Sequence, residues 1–168
     1  MSVIVRRAVA GDGPARARLW EESGEFFASL DPDTAQRPEP RGLVEWHEGI
    51  IERTAEDPTV LMLVAEVDGN VVGALGARLL EPVSSASWQL MRDLAHRRVH
   101  VDALTVAESV RRTGVGTALM GAVERWAVEL GAAVITLETG LRNPTSVPFY
   151  EERMGYARHE VVFRKPLR

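Results

Sequence analysis

The stretch Ser109–Met120, SVRRTGVGTALM, sets two adjacent arginines before Gly114-Val115-Gly116 and then opens an amphipathic pattern. A helix N-terminus presents unpaired N–H groups and a partial positive charge, and glycines let a bulky anion approach the backbone. Neighbouring arginines add charge-assisted hydrogen bonds, so the ligand such a place suits is a phosphate or pyrophosphate. A P-loop is excluded in its usual form because no Lys-Ser/Thr pair follows the glycines. A dinucleotide fingerprint would want a third glycine where Leu119 stands, although Glu138 lies near the distance of a ribose-binding acid. That reading also leaves too little chain after the motif to complete the fold.

Working outward, the helix after the glycines carries Val115, Leu119, Val123, Trp126 and Leu130 as an apolar stripe, and Gly131 ends it. The run before the motif, RVHVDALTV, alternates Val99, Val101 and Ala103 with His100, Asp102, Leu104 and Val106, which predicts a strand with those two sets on opposite faces. The run after the helix, AAVITLETG, reads as a buried parallel neighbour of that strand. Then NPTSVPFYEERMGY predicts a turn and a short helix with Ser146 as N-cap and Gly155 as stop, and ARHEVVFRKPL predicts a last strand.

The N-terminal half reads as strand, helix, loop, helix and hairpin. SVIVRRAV is the strand; Leu19, Phe26, Phe27 and Leu30 recur at helical spacing; DPDTAQRPEPRG is a loop; and Leu43, Trp46, Ile50 and Ile51 mark a second helix that Pro58 stops. Two apolar runs joined at Asp68-Gly69-Asn70 form a hairpin, because glycine supplies the positive φ of a tight turn. Residues 83–97 fit either a short helix or an irregular loop. No repeat or low-complexity tract appears, and residues 1–168 read as a single mixed α/β domain.

Composition narrows the function classes. The chain has 168 residues, 45% of them hydrophobic and 26% charged, with a net charge of −4. This is a globular composition, and the acidic balance disfavours nucleic acid as main partner. The absence of cysteine removes thiol nucleophiles, disulfides and thiolate metal sites. His47, His96, His100 and His159 have no ligand spacing, so no metal is expected. Nothing reads as a signal peptide or membrane span, and a cytoplasmic location is the expectation.

Taken together, LTVAESVRRTGVGTALM, the helix ending near Gly131, the strand VITLET and NPTSVPFYEERMGY resemble the GNAT superfamily of acyl-CoA-dependent N-acetyltransferases. Arg111, Gly114 and Gly116 match its glycine-rich signature, and Asn143, Phe149, Tyr150, Glu151, Gly155 and Tyr156 match its later one. The resemblance implies a central mixed sheet of about six to seven strands flanked by about four helices. Two parallel strands would splay to admit the pantetheine arm of acetyl-CoA. It places backbone contacts to that arm at Leu104, Thr105 and Val106, and the pyrophosphate at Arg111, Arg112, Thr113, Gly114, Val115, Gly116 and Thr117. Asn143 matches a residue that commonly contacts the cosubstrate. Glu108 and Ser109 replace a frequent Pro-Glu-type turn, a small departure where backbone amides do the binding.

The implied reaction is direct attack by an amine on the thioester in a ternary complex. An amine of pKa about 10.4 must first lose a proton, so the acceptor site needs a base, often acting through water. Asp102 is the first candidate, at a position where relatives often carry an acid, and His100 is the second. Tyr150 matches the tyrosine that protonates the leaving thiolate, and a backbone N–H near Leu104 or Thr105 would hold the carbonyl oxygen. Glu21, Glu22, Glu25, Phe26 and Trp88 lie in the parts that, by the resemblance, would build the acceptor groove, and they would suit a cation with an apolar portion. A small amine, an aminoglycoside-like polyamine, an amino acid and a protein amine all remain open as acceptors, as does a homodimer. The alternative is a non-catalytic acyl-CoA-binding regulatory module on the same fold, with a nucleotide-binding oxidoreductase a distant third.

Overall fold

The computed structural model describes residues 2–167. Two compact units divide the chain, one running through Glu138 and the other starting at Thr139. The first holds a five-stranded sheet in the order β1-β2-β3-β4-β5. Its strands are β1 (Val3–Arg7), β2 (Val60–Val67), β3 (Asn70–Leu80), β4 (Arg98–Val106) and β5 (Val134–Leu137), and its helices are α1 (Gly13–Leu30), α2 (Leu43–Thr54) and α3 (Val115–Glu129). The first four strands pair antiparallel and β5 joins β4 in parallel.

The hairpin between β2 and β3 turns on Asp68 and Gly69, with φ of 50° and 78°. Two successive positive φ values are what a two-residue turn needs to match strand twist. Pairing of Val67 with Asn70 then sets the ladder.

β4 departs from plain alternation. Gly76 pairs with Ala103 and Ala77 pairs with Val101, leaving Asp102 without a partner on β3. The extra residue reverses the faces beyond it. Val99 and Val101 therefore share a face with Leu104 and Val106, while His100 lies on the other face with Ala103 and Thr105. This corrects the alternation expected from the sequence, in which Ala103 went with Val101, and His100 and Asp102 with Leu104.

The two faces are covered by different helices. A side chain at Gly73, the partner of Val106, would meet Val115 and Leu119 of α3. On the other face Ala103 and Thr105 look toward Arg16 and Trp20 of α1 and His47 of α2. The α3 side is apolar: Val115, Leu119, Met120 and Val123 are almost fully buried, as are Val99, Leu75 and Ala77 on the sheet face they cover. On the other helices the expected stripe holds in part. Leu19, Leu43 and Ile51 are buried, but Phe27, Leu30 and Trp46 are exposed, and His47 takes the inward position between Leu43 and Ile51.

Two further expectations are revised. β5 is parallel as read, but it is a half-exposed edge strand, because no strand covers its outer side among the described residues. Residues 157–167 form no strand, so among the described residues the sheet has five strands where six to seven were expected. The undecided segment 83–97 resolves into two short 3-10 turns, Ala86–Trp88 and Arg92–Ala95.

The second unit contains α4 (Ser146–Pro148), which runs into a π-helical turn, Phe149–Arg153. Ser146 is the first residue of α4 and does not cap it. Asn143 does, its Oδ1 accepting the N–H groups of Thr145 and Ser146 at 3.0 Å each.

Candidate active site

The parallel ladder between β4 and β5 covers only Arg98–Val101 against Val134–Leu137. From Ala103 to Val106 β4 pairs, among the described residues, with no strand but β3, so its other edge is free of strand pairing. The bulge at Asp102 stands where the two strands part. Backbone groups alternate across an antiparallel ladder, and the Ala107 N–H donates to the Val72 carbonyl at 2.9 Å. Thr105 therefore turns its amide and carbonyl toward β3, and Leu104 and Val106 turn theirs toward the opening. The open edge thus offers extended backbone to a ligand that can pair as a strand would, and an N–H at Leu104 beside the bulge.

Below that edge the chain enters a 3-10 turn, Glu108–Val110, and then the arginine-glycine loop. Arg112 and Gly114 adopt positive φ, 65° and 98°. Gly114 is the N-cap of α3 and no side chain caps the helix. The first N–H groups of this 15-residue helix are left for an external acceptor, as anion binding at a helix start requires. Val115 is buried against the sheet, whereas Arg112 and Thr113 are exposed. An uncapped helix start, a left-handed glycine and an exposed arginine are features that fit a pyrophosphate.

Arg111 has partners of its own. Its Nε donates to the Val106 carbonyl at 3.3 Å, its Nη2 lies 3.8 Å from Glu22, and its guanidinium stands over Phe26. Glu22 also accepts the Glu108 N–H. Glu25 pairs with Arg37 at 3.3 Å. Two of the three acids on α1 expected to attract a cation are thus already engaged, and Trp88 is largely exposed, 82%.

The two candidate bases are placed differently. Asp102 is exposed and its carboxylate lies 3.2 Å from Nη2 of Arg78. His100, the cross-strand partner of Arg78, has Nδ1 3.0 Å from Thr136 Oγ1 on β5. Asp102 stands at the parting of the strands; His100 lies back within the paired region.

In the second unit, Asn143 is buried with Nδ2 unpartnered. Tyr150 packs edge-on against Phe149 and Tyr156, and burial pushes its phenol up to about 12. At neutral pH it is a protonated hydroxyl able to donate.

The Acetyltransferase (GNAT) family model matches residues 17–156. The chain belongs to the GNAT acetyltransferase family. This GNAT chain is 41% identical over 121 residues to a protein of Oryza sativa subsp. japonica named Acetyl transferase GW6a, an overlap of 69% of the chain and 27% of that protein. It therefore spans about a quarter of that relative's length. Among solved structures, a transcriptional regulator from Bacillus halodurans C-125 matches with TM-score 0.73 at 20% identity, over 98% of the chain and 99% of the other. An aminoglycoside acetyltransferase from an uncultured soil metagenomic sample matches with TM-score 0.64 at 22% identity over the whole of both chains. Identities this low establish the GNAT fold and leave substrates to be argued from the site.

Sequence reasoning missed Arg16, His47 and Arg78. His47 follows Leu43 by four residues and precedes Ile51 by four, a spacing that marks it as an inward residue of α2. Nothing local in the sequence marks Arg16 or Arg78.

Among the described residues no group of three or more His, Asp or Glu could hold a metal ion, and no helix is long and apolar enough to cross a membrane.

Proposed function

We propose that the protein transfers an acetyl group from acetyl-CoA to the amine of an acceptor, by direct attack in a ternary complex. The observation that carries this reading is the edge of β4 from Ala103 to Val106, which pairs with no strand on that side and gives only its Val106 carbonyl to Arg111, followed after one short turn by the uncapped start of α3. One chain segment thus offers strand-like backbone for an amide-bearing arm and free N–H groups for a pyrophosphate. An NAD-type dinucleotide has the pyrophosphate but no peptide-like arm to use the open strand edge.

In this reading the Leu104 N–H holds the thioester oxygen, where charge builds as the amine attacks. Asp102, through one water, accepts the proton that the amine loses. Tyr150 supplies the proton to the leaving thiolate; the Phe149-Tyr150-Glu151 motif and a phenol that stays protonated at neutral pH support that role. The N-terminal amides of α3 and the side chain of Arg112 bind the pyrophosphate. Arg111 joins them by exchanging Glu22 for phosphate oxygens.

Calorimetric titration with acetyl-CoA and with NAD, followed by thiol release against an amine panel, tests this. Binding of acetyl-CoA but not NAD, with amine-dependent thiol release, is expected. Tight acetyl-CoA binding with no release for any amine would leave the regulatory-module reading instead.

A further inference from the structure

On the face of the sheet covered by α1 and α2, Arg16, Trp20, His47, Gly76, Ala103 and Thr105 line a cavity of about 20 Å³. Arg16 and His47 are buried, at 8% and 3% exposure. Neither is satisfied: Arg16 Nε and both ring nitrogens of His47 have no hydrogen-bond partner. Nη1 of Arg16 reaches only the Leu63 carbonyl, at 3.5 Å. Asp12, whose charge attracts Arg16, gives its oxygens to Arg6 at 2.7 and 2.9 Å and to the Val9 N–H at 2.8 Å.

A guanidinium does not lose its proton in proteins, and one buried without a hydrogen-bonded counter-ion is costly. Such an arrangement is understandable where a ligand supplies the missing anion. Thr105 Oγ1 lies 3.5 Å from the Ala74 carbonyl, a weak bond that leaves the hydroxyl able to turn into the cavity. His47 is held neutral, its imidazole pushed down to about 4 by burial and by the Arg16 charge. The cavity therefore presents donors and a single positive charge.

Its place in the fold says what the anion belongs to. Gly76 and Ala103 pair with each other next to the bulge at Asp102, and Leu104, the next residue, faces the open edge. We infer that this cavity is a carboxylate subsite, so that the acceptor is an amino carboxylate, one of whose oxygens bonds Arg16 and Thr105 while its amine lies at the β4 bulge. The inference rests on the acetyl-transfer reading above. A volume of about 20 Å³ is enough for one water, which a carboxylate oxygen can replace because it accepts the same hydrogen bonds. The rest of the acceptor has an apolar wall available: Trp20 lies 6.3 Å from Trp46, which is 49% exposed. A polyamine would set further positive charge against Arg16 and Arg78, so this geometry selects against aminoglycoside-like acceptors.

The test compares matched pairs with and without the carboxylate: phenylalanine with phenethylamine, alanine with ethylamine, and glutamate with 4-aminobutyrate, whose lost carboxylate is the α one. Thiol release gives kcat/KM, and calorimetry without acetyl-CoA gives acceptor affinity independently. In at least one pair the member bearing the α-carboxylate should be favoured at least about tenfold in both measurements. Arg16→Met should bring that ratio close to one, and Arg16→Lys, which keeps the charge, should retain part of it. Equal preference within every pair for the wild type overturns the subsite, whether or not the variants fold, and so does a ratio that survives Arg16→Met. Acetylation of amines without regard to the carboxylate would sink this inference and leave the transfer reading intact. Carboxylate binding that depends on Arg16, with no acetyl-CoA binding, would do the reverse.

Discussion

The guanidinium of Arg111 stands over the ring of Phe26, its Cζ 5.0 Å from the centroid, with Nη2 3.8 Å from Glu22. Phe26 and Glu22 are one helical turn apart on α1, so a single face of that helix holds the first arginine of the anion loop. In the proposed binding mode a polyanion at α3 would compete with Glu22 for Arg111. Glu22→Gln keeps an oxygen for the Glu108 N–H but removes the competing charge. Affinity for acetyl-CoA should rise roughly two- to fivefold at low ionic strength, and the gain should shrink as salt screens the partly exposed pair. Titrations at two salt concentrations measure it; unchanged or weaker binding at both would show that Glu22 does not oppose the ligand.

Gly114 carries two separable demands. Its φ of 98° is strained for any L side chain, yet a Cβ there would meet no protein atom within 4 Å. Gly114→Ala should therefore destabilise the fold by about 1–2 kcal/mol through backbone strain alone. Gly114→Val should, in addition, obstruct the approach of pyrophosphate and weaken acetyl-CoA binding severely. Urea unfolding reads the first effect and calorimetry on folded protein the second. A valine variant with wild-type affinity would remove the loop from the binding site.

Tyr150→Phe deletes one hydroxyl and keeps the ring contacts with Phe149 and Tyr156. Turnover should fall while acetyl-CoA affinity holds, the signature of a group used only as the thiolate leaves. Because burial pushes the phenol up to about 12, wild-type activity should show no alkaline loss from Tyr150 ionisation up to about pH 10. Unaffected turnover in the variant would assign the proton to solvent or another group.

His47 predicts an acid-side instability. The unfolded chain protonates it near the ordinary value of 6.5, but the folded chain does so only near 4. Between those values the unfolded state binds more protons, so stability rises with pH and is lost as pH falls from 6.5 toward 4. The linked loss is about 3 kcal/mol at most. His47→Leu should abolish that share of the pH slope in urea unfolding curves from pH 4 to 7. Identical slopes for the two proteins would mean that the imidazole titrates normally in the fold.

Local chemistry made much of this fold readable. The Asp68-Gly69 turn and the Gly114 helix start each need positive φ, and each carries a glycine that says so. The α3 stripe is readable because one apolar face meets one sheet. The bulge at Asp102 leaves no such trace: the residue pattern of β4 alternates straight through it, and only the pairing of Gly76 with Ala103 and Ala77 with Val101 displaces it. Trp46 and His47 exchange their expected places because a helical period locates a stripe to within about one residue, and hydrophobicity then picked the wrong neighbour. Val161, Val162 and Phe163 suggest a strand by composition, yet a strand needs a partner edge, which composition does not supply. The arginine-glycine loop was legible; the buried charge at Arg16 was not, since an arginine on an amphipathic helix ordinarily marks the solvent face.

Asp102 offers the sharpest test of the chemistry. Its carboxylate stands at the parting of β4 and β5, 3.2 Å from Arg78 and open to solvent, where it can take a proton from an amine through one water. Asp102→Asn keeps the size and hydrogen-bonding capacity of the side chain and removes the base. Turnover should fall by roughly 10²-fold, within the range for positioned general bases. Raising the pH should restore part of it, because more acceptor arrives already deprotonated. Arg78→Met separates this role from a purely structural pair: it breaks the ion pair while leaving the carboxylate, so turnover should survive far better than in Asp102→Asn. A carboxylate that only attracted the acceptor cation would leave turnover intact in Asp102→Asn and raise the Michaelis constant instead. The deciding measurement is the pH profile of both kinetic constants for wild type and the two variants with a verified acceptor. Turnover unchanged across that profile in Asp102→Asn would pass the base role to His100 or to water.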